Sequence, residues 1–176
     1  LPSLMDFPLQ NAMRWALVSD EDSKAEDMRP LGLLSLYRTL ANDFVYPDPS
    51  SLVIFPDNHD MSRIYTQLGE DDDLFRMALA YVLTMRGIPQ IYYGTEILMS
   101  NPGVEDHGII RSDFPGGWKG DRKNAFTGKG LSEREARAQA FVKNLLNWRR
   151  EPRRGFLPGP KFPPEPTRWL CKSIAR

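Results

Sequence analysis

Three times between residues 3 and 150 a short apolar run gives way to a polar loop and then to a helix-length segment with an apolar stripe. Repetition of that unit predicts βα units and a parallel sheet, because strands that run the same way must be joined by a crossover. The first run is Ser3-Leu4-Met5-Asp6-Phe7, followed by helical stretches over about 11–18 and 31–41. The second, Leu52-Val53-Ile54-Phe55, lacks polar alternation, so both of its faces are expected to be buried. Leu74, Met77, Ala78, Tyr81, Val82 and Met85 then recur at helical spacing. Acidic residues from Glu70 to Asp73 suit the positive end of that helix dipole, Arg86 suits the other end, and Gly87 suits a left-handed stop. The third run, Ile88 to Gly94, follows almost without a linker, and Pro89 is tolerated near a strand start.

From Thr95 to Leu131 stretches a loop of about 35 residues rich in Gly, Asp and aromatics, too long for a plain connector and suited to binding. It closes on Ser132-Glu133-Arg134-Glu135, a capping box. The last helix runs to about Arg150, with Ala138, Phe141, Val142, Leu145 and Trp148 as its buried stripe. Beyond it the chain turns proline-rich and loses all period, so residues 151–176 are read as an irregular tail, with a frame slip or truncation near Arg150 as the expected cause.

With 41% apolar and 26% charged residues the chain is expected to be globular. The 23 basic and 23 acidic side chains cancel without forming a basic stripe, so nucleic acid is not an expected partner. A lone cysteine, Cys171, excludes an internal disulfide framework. No apolar run is long enough to span a bilayer, and the start at Leu-Pro-Ser-Leu-Met-Asp reads as the middle of something longer.

The chemistry concentrates in Phe55-Pro56-Asp57-Asn58-His59-Asp60, where four polar residues follow the buried run. In a (β/α)8 barrel the C-terminal ends of the strands face the active site. There Asp60 would present a carboxylate and His59 an imidazole to a substrate rich in hydroxyls, with Asp57 and Asn58 supporting the turn, as glycoside hydrolysis requires. Two other readings stay open: a turn that only caps a helix, since Asp and Asn favour turns, and a metal site at Asp57, His59 and Asp60. The chain's two histidines, His59 and His107, are not at ligand spacing, so no metal ligand is assigned.

Phe-Pro-Asp-Asn-His-Asp closely resembles the seventh-strand motif of glycoside hydrolase family 13, the α-amylase family, which ends in a His-Asp pair. The likeness continues through Met61-Ser62-Arg63, residues Gly87 to Glu96 are similar to the eighth-strand motif, and Leu4 to Leu9 resembles strand six. The resemblance implies a partial TIM (β/α)8 barrel over residues 1–150, strands six to eight with their helices, followed by the tail. It implies that Asp60 is the third catalytic carboxylate, stabilising the transition state, and that His59 hydrogen-bonds the same glucose unit. The stretch from Asp106 to Trp118 is similar to neopullulanase and cyclomaltodextrinase-like enzymes of bacterial starch utilisation, and it makes Asp106 and Arg111 candidates for contacts with further sugars. Trp118 either stacks on a sugar or anchors the loop, while Tyr92 and Tyr93 are expected to fill barrel layers.

The implied activity is retaining hydrolysis of α-1,4 bonds in α-glucans or maltooligosaccharides. A non-catalytic carbohydrate-binding half-barrel and an α-glucan transferase are the alternatives. Neither the nucleophile of strand four nor the general acid of strand five has a matching motif here, so the chain is expected to be inactive alone. Its outer strands should expose apolar edges and favour self-association. No cofactor is evident, and the resemblance allows calcium in the complete enzyme. It also implies a periplasmic or secreted location, with the cytoplasm left open.

Overall fold

A computed structural model of the chain describes residues 3–18 and 32–151. Helix α1 (Phe7–Leu17) starts where the Asp6 carboxylate accepts from Leu9 N at 3.0 Å. Pro8 sits in the first turn, where its missing N–H costs nothing. The first apolar run therefore shrinks to a single parallel bridge between Met5 and Val53, and the helix begins earlier than its apolar spacing predicted. Helix α2 (Leu34–Ala41) packs back on α1, and the Ser35 hydroxyl donates to Ala12 O at 2.9 Å. Residue 31, the expected start of this helix, lies outside the described residues.

Strand β1 (Val53–Ile54) pairs in parallel with β2 (Ile88–Pro89), Val53 opposite Ile88 and Ile54 opposite Pro89. Between them come the short α3 (Ile64–Gln67) and α4 (Asp72–Thr84). The Met5 segment lies on the other side of β1, where Val53 N donates to Leu4 O and Asp6 N donates to Val53 O, both at 2.8 Å. Three parallel segments thus stand in chain order, the arrangement the βα repetition predicted. Only the first two residues of the third run pair, and the rest of it turns toward Gly94. Two further helices follow: the short α5 (His107–Ile110) within the long loop, and the 18-residue α6 (Glu133–Arg150), which opens on the expected capping box and packs on α4 through Ala138 and Val142. Ile54, Ile64, Phe75, Leu79 and Leu83 form the centre of the core.

Where α4 meets β2 the structure departs from the expected stop. Helix α4 ends at Met85 in an extended conformation, and Gly87 (φ 96°) serves a different need. A Cβ there would lie 2.6 Å from Leu52 O, so only glycine lets the two strands approach. Arg86 does not address the helix end either. It reaches Asp6 and Asp43, while the carbonyls of Leu83 and Met85 are taken by Arg149 Nη1 at 3.0 Å each. On the flanks of the sheet Leu4, Met5 and Ile88 remain partly exposed. No helix among the described residues is long and apolar enough to cross a membrane. The proline-rich tail from 152 onward lies outside the described residues.

Candidate active site

Burial of Ile54 and Phe55 fixes the point at which β1 hands over to the polar loop. The first carboxylate after it, Asp57, is wholly enclosed and accepts from Ile64 N at 2.8 Å and from Thr95 Oγ1 at 2.9 Å. One side chain thereby ties the loop to α3 and to the segment beyond β2. Asn58 Oδ1 accepts from Asp60 N at 2.8 Å and closes a tight turn. With Asp57 and Asn58 spent on the scaffold, the His59 and Asp60 side chains stay 60% exposed, His59 Nε2 lying 3.2 Å from Asp60 Oδ2.

The long loop supplies the second half of the constellation. Arg111 Nη2 donates to Asp60 Oδ1 at 2.9 Å, and Arg111 Nε donates to His59 O at 3.0 Å. His107 Nδ1 lies 3.2 Å from Arg111 Nη2 and 3.4 Å from His59 O. Of the expected site residues, His59, Asp60 and Arg111 come together. Asp106 has no hydrogen bond to any of them among the described residues, and its carboxylate caps α5 by accepting from Gly108 N at 2.6 Å.

Trp118 is 67% exposed, held at a turn where the Asp121 carboxylate accepts from Gly116 N at 2.7 Å and Trp118 N at 3.1 Å. It is no buried anchor in this chain. Tyr92 and Tyr93 are half-buried against each other, with ring centroids 4.6 Å apart. Burial holds the Tyr92 hydroxyl pKa well above its usual value.

Sequence reasoning passed over Arg63, quoted only as the end of a motif. It is 1% exposed, and its guanidinium donates to Ile110 O through Nε (3.0 Å) and Nη2 (2.7 Å) and to Tyr93 O through Nη1. It also lies 4.1 Å from the centre of the Tyr92 ring, a cation–π distance. The signal was an arginine directly before the apolar Ile64-Tyr65, where a charge is kept only if it is fully bonded. Through Ile110 it holds the end of α5, the residue before Arg111.

Alongside Asp60 opens a groove of about 350 Å³, bounded by α1, the Asp60 loop and the approach to α5. No group of three or more His, Cys, Asp or Glu side chains among the described residues could hold a metal ion.

Burial raises the Asp57 pKa to about 6 from 3.8, partly offset by the Ile64 and Thr95 hydrogen bonds and by Arg63, with Glu96 adding to the rise. The folded chain therefore keeps a proton that the unfolded chain releases, and it binds more protons between those values. Stability from this group falls as pH rises from 3.8 through 6, and the cost, on the order of 3 kcal/mol, is complete above that. Asp57→Asn cannot titrate. The stability difference between the two proteins in urea should change across pH 4 to 7, and an unchanged difference would sink the assignment.

Residues 2–157 match the α-amylase catalytic domain family. A cyclomaltodextrin glucanotransferase of Thermoanaerobacterium thermosulfurigenes is 37% identical over 112 residues, covering 64% of this chain and 14% of that protein. An α-amylase of Niallia circulans is 35% identical over 112 residues, 64% of this chain and 20% of that protein. The chain thus spans a fifth or less of the length of these relatives. They lend no specific support to the neopullulanase likeness of the long loop. Among solved structures, the cyclomaltodextrin glucanotransferase CldA shares 30% identity with a TM-score of 0.56, over 82% of this chain and 24% of its own. The α-amylase of Geobacillus thermoleovorans complexed with acarbose shares the fold at 24% identity and a TM-score of 0.58, over 85% of this chain and 28% of its own. The matched residues include both strands, the His59-Asp60-Arg111 constellation and α6, and the chain belongs to the α-amylase family as a part of its catalytic domain.

Proposed function

We propose that the Met5 segment, β1 and β2 are strands six, seven and eight of a (β/α)8 barrel, and that Asp60 is the transition-state-stabilising carboxylate of a retaining α-glucan hydrolase. The observation that carries this reading is a carboxylate at the C-terminal end of a buried parallel strand, held at 2.9 Å by an arginine from the long loop after β2. Arg111 engages Oδ1 of Asp60, while Oδ2 faces His59 Nε2. Together they offer an acceptor and a donor to neighbouring hydroxyls of one glucose unit. Positive charge develops on the sugar ring during cleavage, and a carboxylate fixed in place beforehand stabilises it without reorganising. Asp106 and Arg111 would meet sugars further along the chain, and Trp118 offers a face for stacking. The α-amylase of G. thermoleovorans crystallised with acarbose, and AmyP, of the same fold, with maltose, which supports an oligosaccharide as the ligand.

Retention requires a nucleophile and an acid about 5–5.5 Å apart, and we assign both to strands four and five of the complete barrel. In that enzyme Asp60→Asn should lower kcat on maltooligosaccharides by about 10²–10³, the equivalent of losing about 2.7–4 kcal/mol of transition-state stabilisation, with an unchanged circular dichroism spectrum. Near-normal turnover would refute the role of Asp60. The 176-residue chain alone should turn over no maltooligosaccharide, and sustained hydrolysis by it would refute the need for outside carboxylates. Transfer in place of hydrolysis is the second reading, favoured by the glucanotransferase relatives. Cyclic or lengthened products would decide for it.

A further inference from the structure

His107 stands behind the contact between Arg111 and Asp60 and has no part in the role given to that pair. Four residues separate it from Arg111, and the Arg111 N–H bond to His107 O at 3.0 Å puts both side chains on one face of α5. The Asp106 cap on Gly108 N and the Arg63 bonds to Ile110 O hold that turn at either end.

Nδ1 of His107 has two neighbours, Arg111 Nη2 at 3.2 Å and His59 O at 3.4 Å. A guanidinium nitrogen can only donate, and a carbonyl oxygen can only accept. The two contacts therefore need opposite states of one nitrogen. With Nδ1 bare and the ring proton on Nε2, Nδ1 accepts from Nη2, the same nitrogen that donates to Asp60 Oδ1 at 2.9 Å. Nη2 carries two protons, so both bonds form together and turn the guanidinium onto Asp60. Once Nδ1 takes up a proton it can serve only His59 O, which Arg111 Nε already holds at 3.0 Å. The imidazolium then competes with Arg111 for that carbonyl and sets one positive charge beside another.

Histidine is the side chain whose charge ordinarily changes between pH 5 and 8. Asp60, Glu105 and Asp106 favour the charged ring, whereas Arg111, a protonated His59 and Arg14 on the α1 wall of the groove oppose it. We infer that His107 is a positioning residue for Arg111: its bare Nδ1 fixes the guanidinium against Asp60, and protonation there releases it. What this means for turnover rests on the reading of Asp60 given above, while the clamp itself does not.

The test follows the Arg111 guanidinium in the 176-residue chain by carbon-detected NMR. Nη1 and Nη2 give separate signals while rotation about the Nε–Cζ bond is hindered and a single signal once it is free. At pH 8 two signals are expected. Between pH 8 and 5 their interchange should speed up about tenfold, the loss of about one hydrogen bond to a charged group, with the same midpoint as the ring signals of His107. His107→Asn places an amide oxygen near the position of Nδ1 and does not titrate, so slow interchange should persist at pH 5. His107→Ala removes the acceptor and should interchange about tenfold faster at both pH values. A rate that does not change with pH, or a His107→Ala chain as slow as the unsubstituted one at pH 8, overturns the proposal. So does an acid response that survives in His107→Asn, because it would belong to His59 or Asp60. Near-normal turnover of Asp60→Asn in the complete enzyme would refute the role of Asp60 and leave His107 supported by the NMR result. Unchanged interchange would overturn His107 and leave Asp60 to its own test.

Discussion

Replacing Arg86 by methionine should remove about 3–5 kcal/mol of folding stability, because it strands a buried carboxylate. Arg86 Nη1 donates to Asp6 Oδ2 at 2.8 Å, and the Asp6 side chain is fully enclosed. On its other side the guanidinium grips Asp43 with two nitrogens, Nε to Oδ2 at 2.6 Å and Nη2 to Oδ1. Burial works against the charge of Arg86, but the bonds to Asp43 and Asp6 outweigh it and hold its pKa above the ordinary value. One side chain thus joins the turn that starts α1, the 3₁₀ turn after α2 and the connection from α4 to β2. Urea unfolding followed by circular dichroism measures the cost, and a loss below about 1 kcal/mol would show that the three segments hold without it. Adding Asp6→Asn and Asp43→Asn should recover more than half of the loss. The amide oxygen at position 6 can still accept from Leu9 N, and no uncompensated charge remains.

How far the sequence could be read depends on the range of the forces involved. Helix α4 was legible because Leu74, Ala78, Tyr81 and Val82 repeat at helical spacing, and Asp71 caps it by accepting from Asp73 N and Leu74 N. The α6 capping box was legible for the same reason, since its partners are three residues apart. Ser3 to Phe7 does supply the first parallel segment, but only Met5 pairs and α1 starts sooner than its apolar spacing suggested, because a run of that length fits a strand or a helix start. The Asp6-Phe7-Pro8 order, a cap followed by a first-turn proline, was the signal that decided it. Gly87 and Arg86 were rightly marked as special but given local roles. Their actual partners, Leu52, Asp6 and Asp43, are 35 to 80 residues away in sequence.

The candidate site divides along the same line. His59 and Asp60 stood out because they follow a buried strand at the end that faces the active site in a (β/α)8 barrel, although a plain turn accounts for the same residue types, and both side chains are exposed. Arg111 was named through resemblance, and its bond to Asp60 spans 51 residues. Asp106, named by the same route, carries the visible duty of an N-cap, a role that any acidic residue before a short helix can fill.

Arg63→Met should cost about 3–5 kcal/mol and should also loosen the grip of Arg111, although Arg63 itself does not touch Arg111. Methionine replaces the length of the side chain but none of its donors. The carbonyls of Ile110 and Tyr93 would lose the guanidinium that now satisfies them, at about 1–3 kcal/mol for each buried group. The cation–π contact with Tyr92 would go as well. Helix α5 has only four residues and cannot hold itself in place, so the carbonyl of Ile110 is its tether to the loop. Once that tether is cut, the Arg111 N–H bond to His107 O should open more often. Amide exchange at Arg111 should then speed up at least about tenfold relative to the amides of α4, a local opening cost of about 1.4 kcal/mol beyond any global loss. Arg63→Lys keeps the charge but offers a point donor in place of a fork, so it should restore part of the stability and little of the protection at Arg111. If Arg111 exchanges no faster than α4 in either variant, Arg63 stabilises the core alone, and the position of Arg111 against Asp60 must be set by its own bonds to His59 and Asp60.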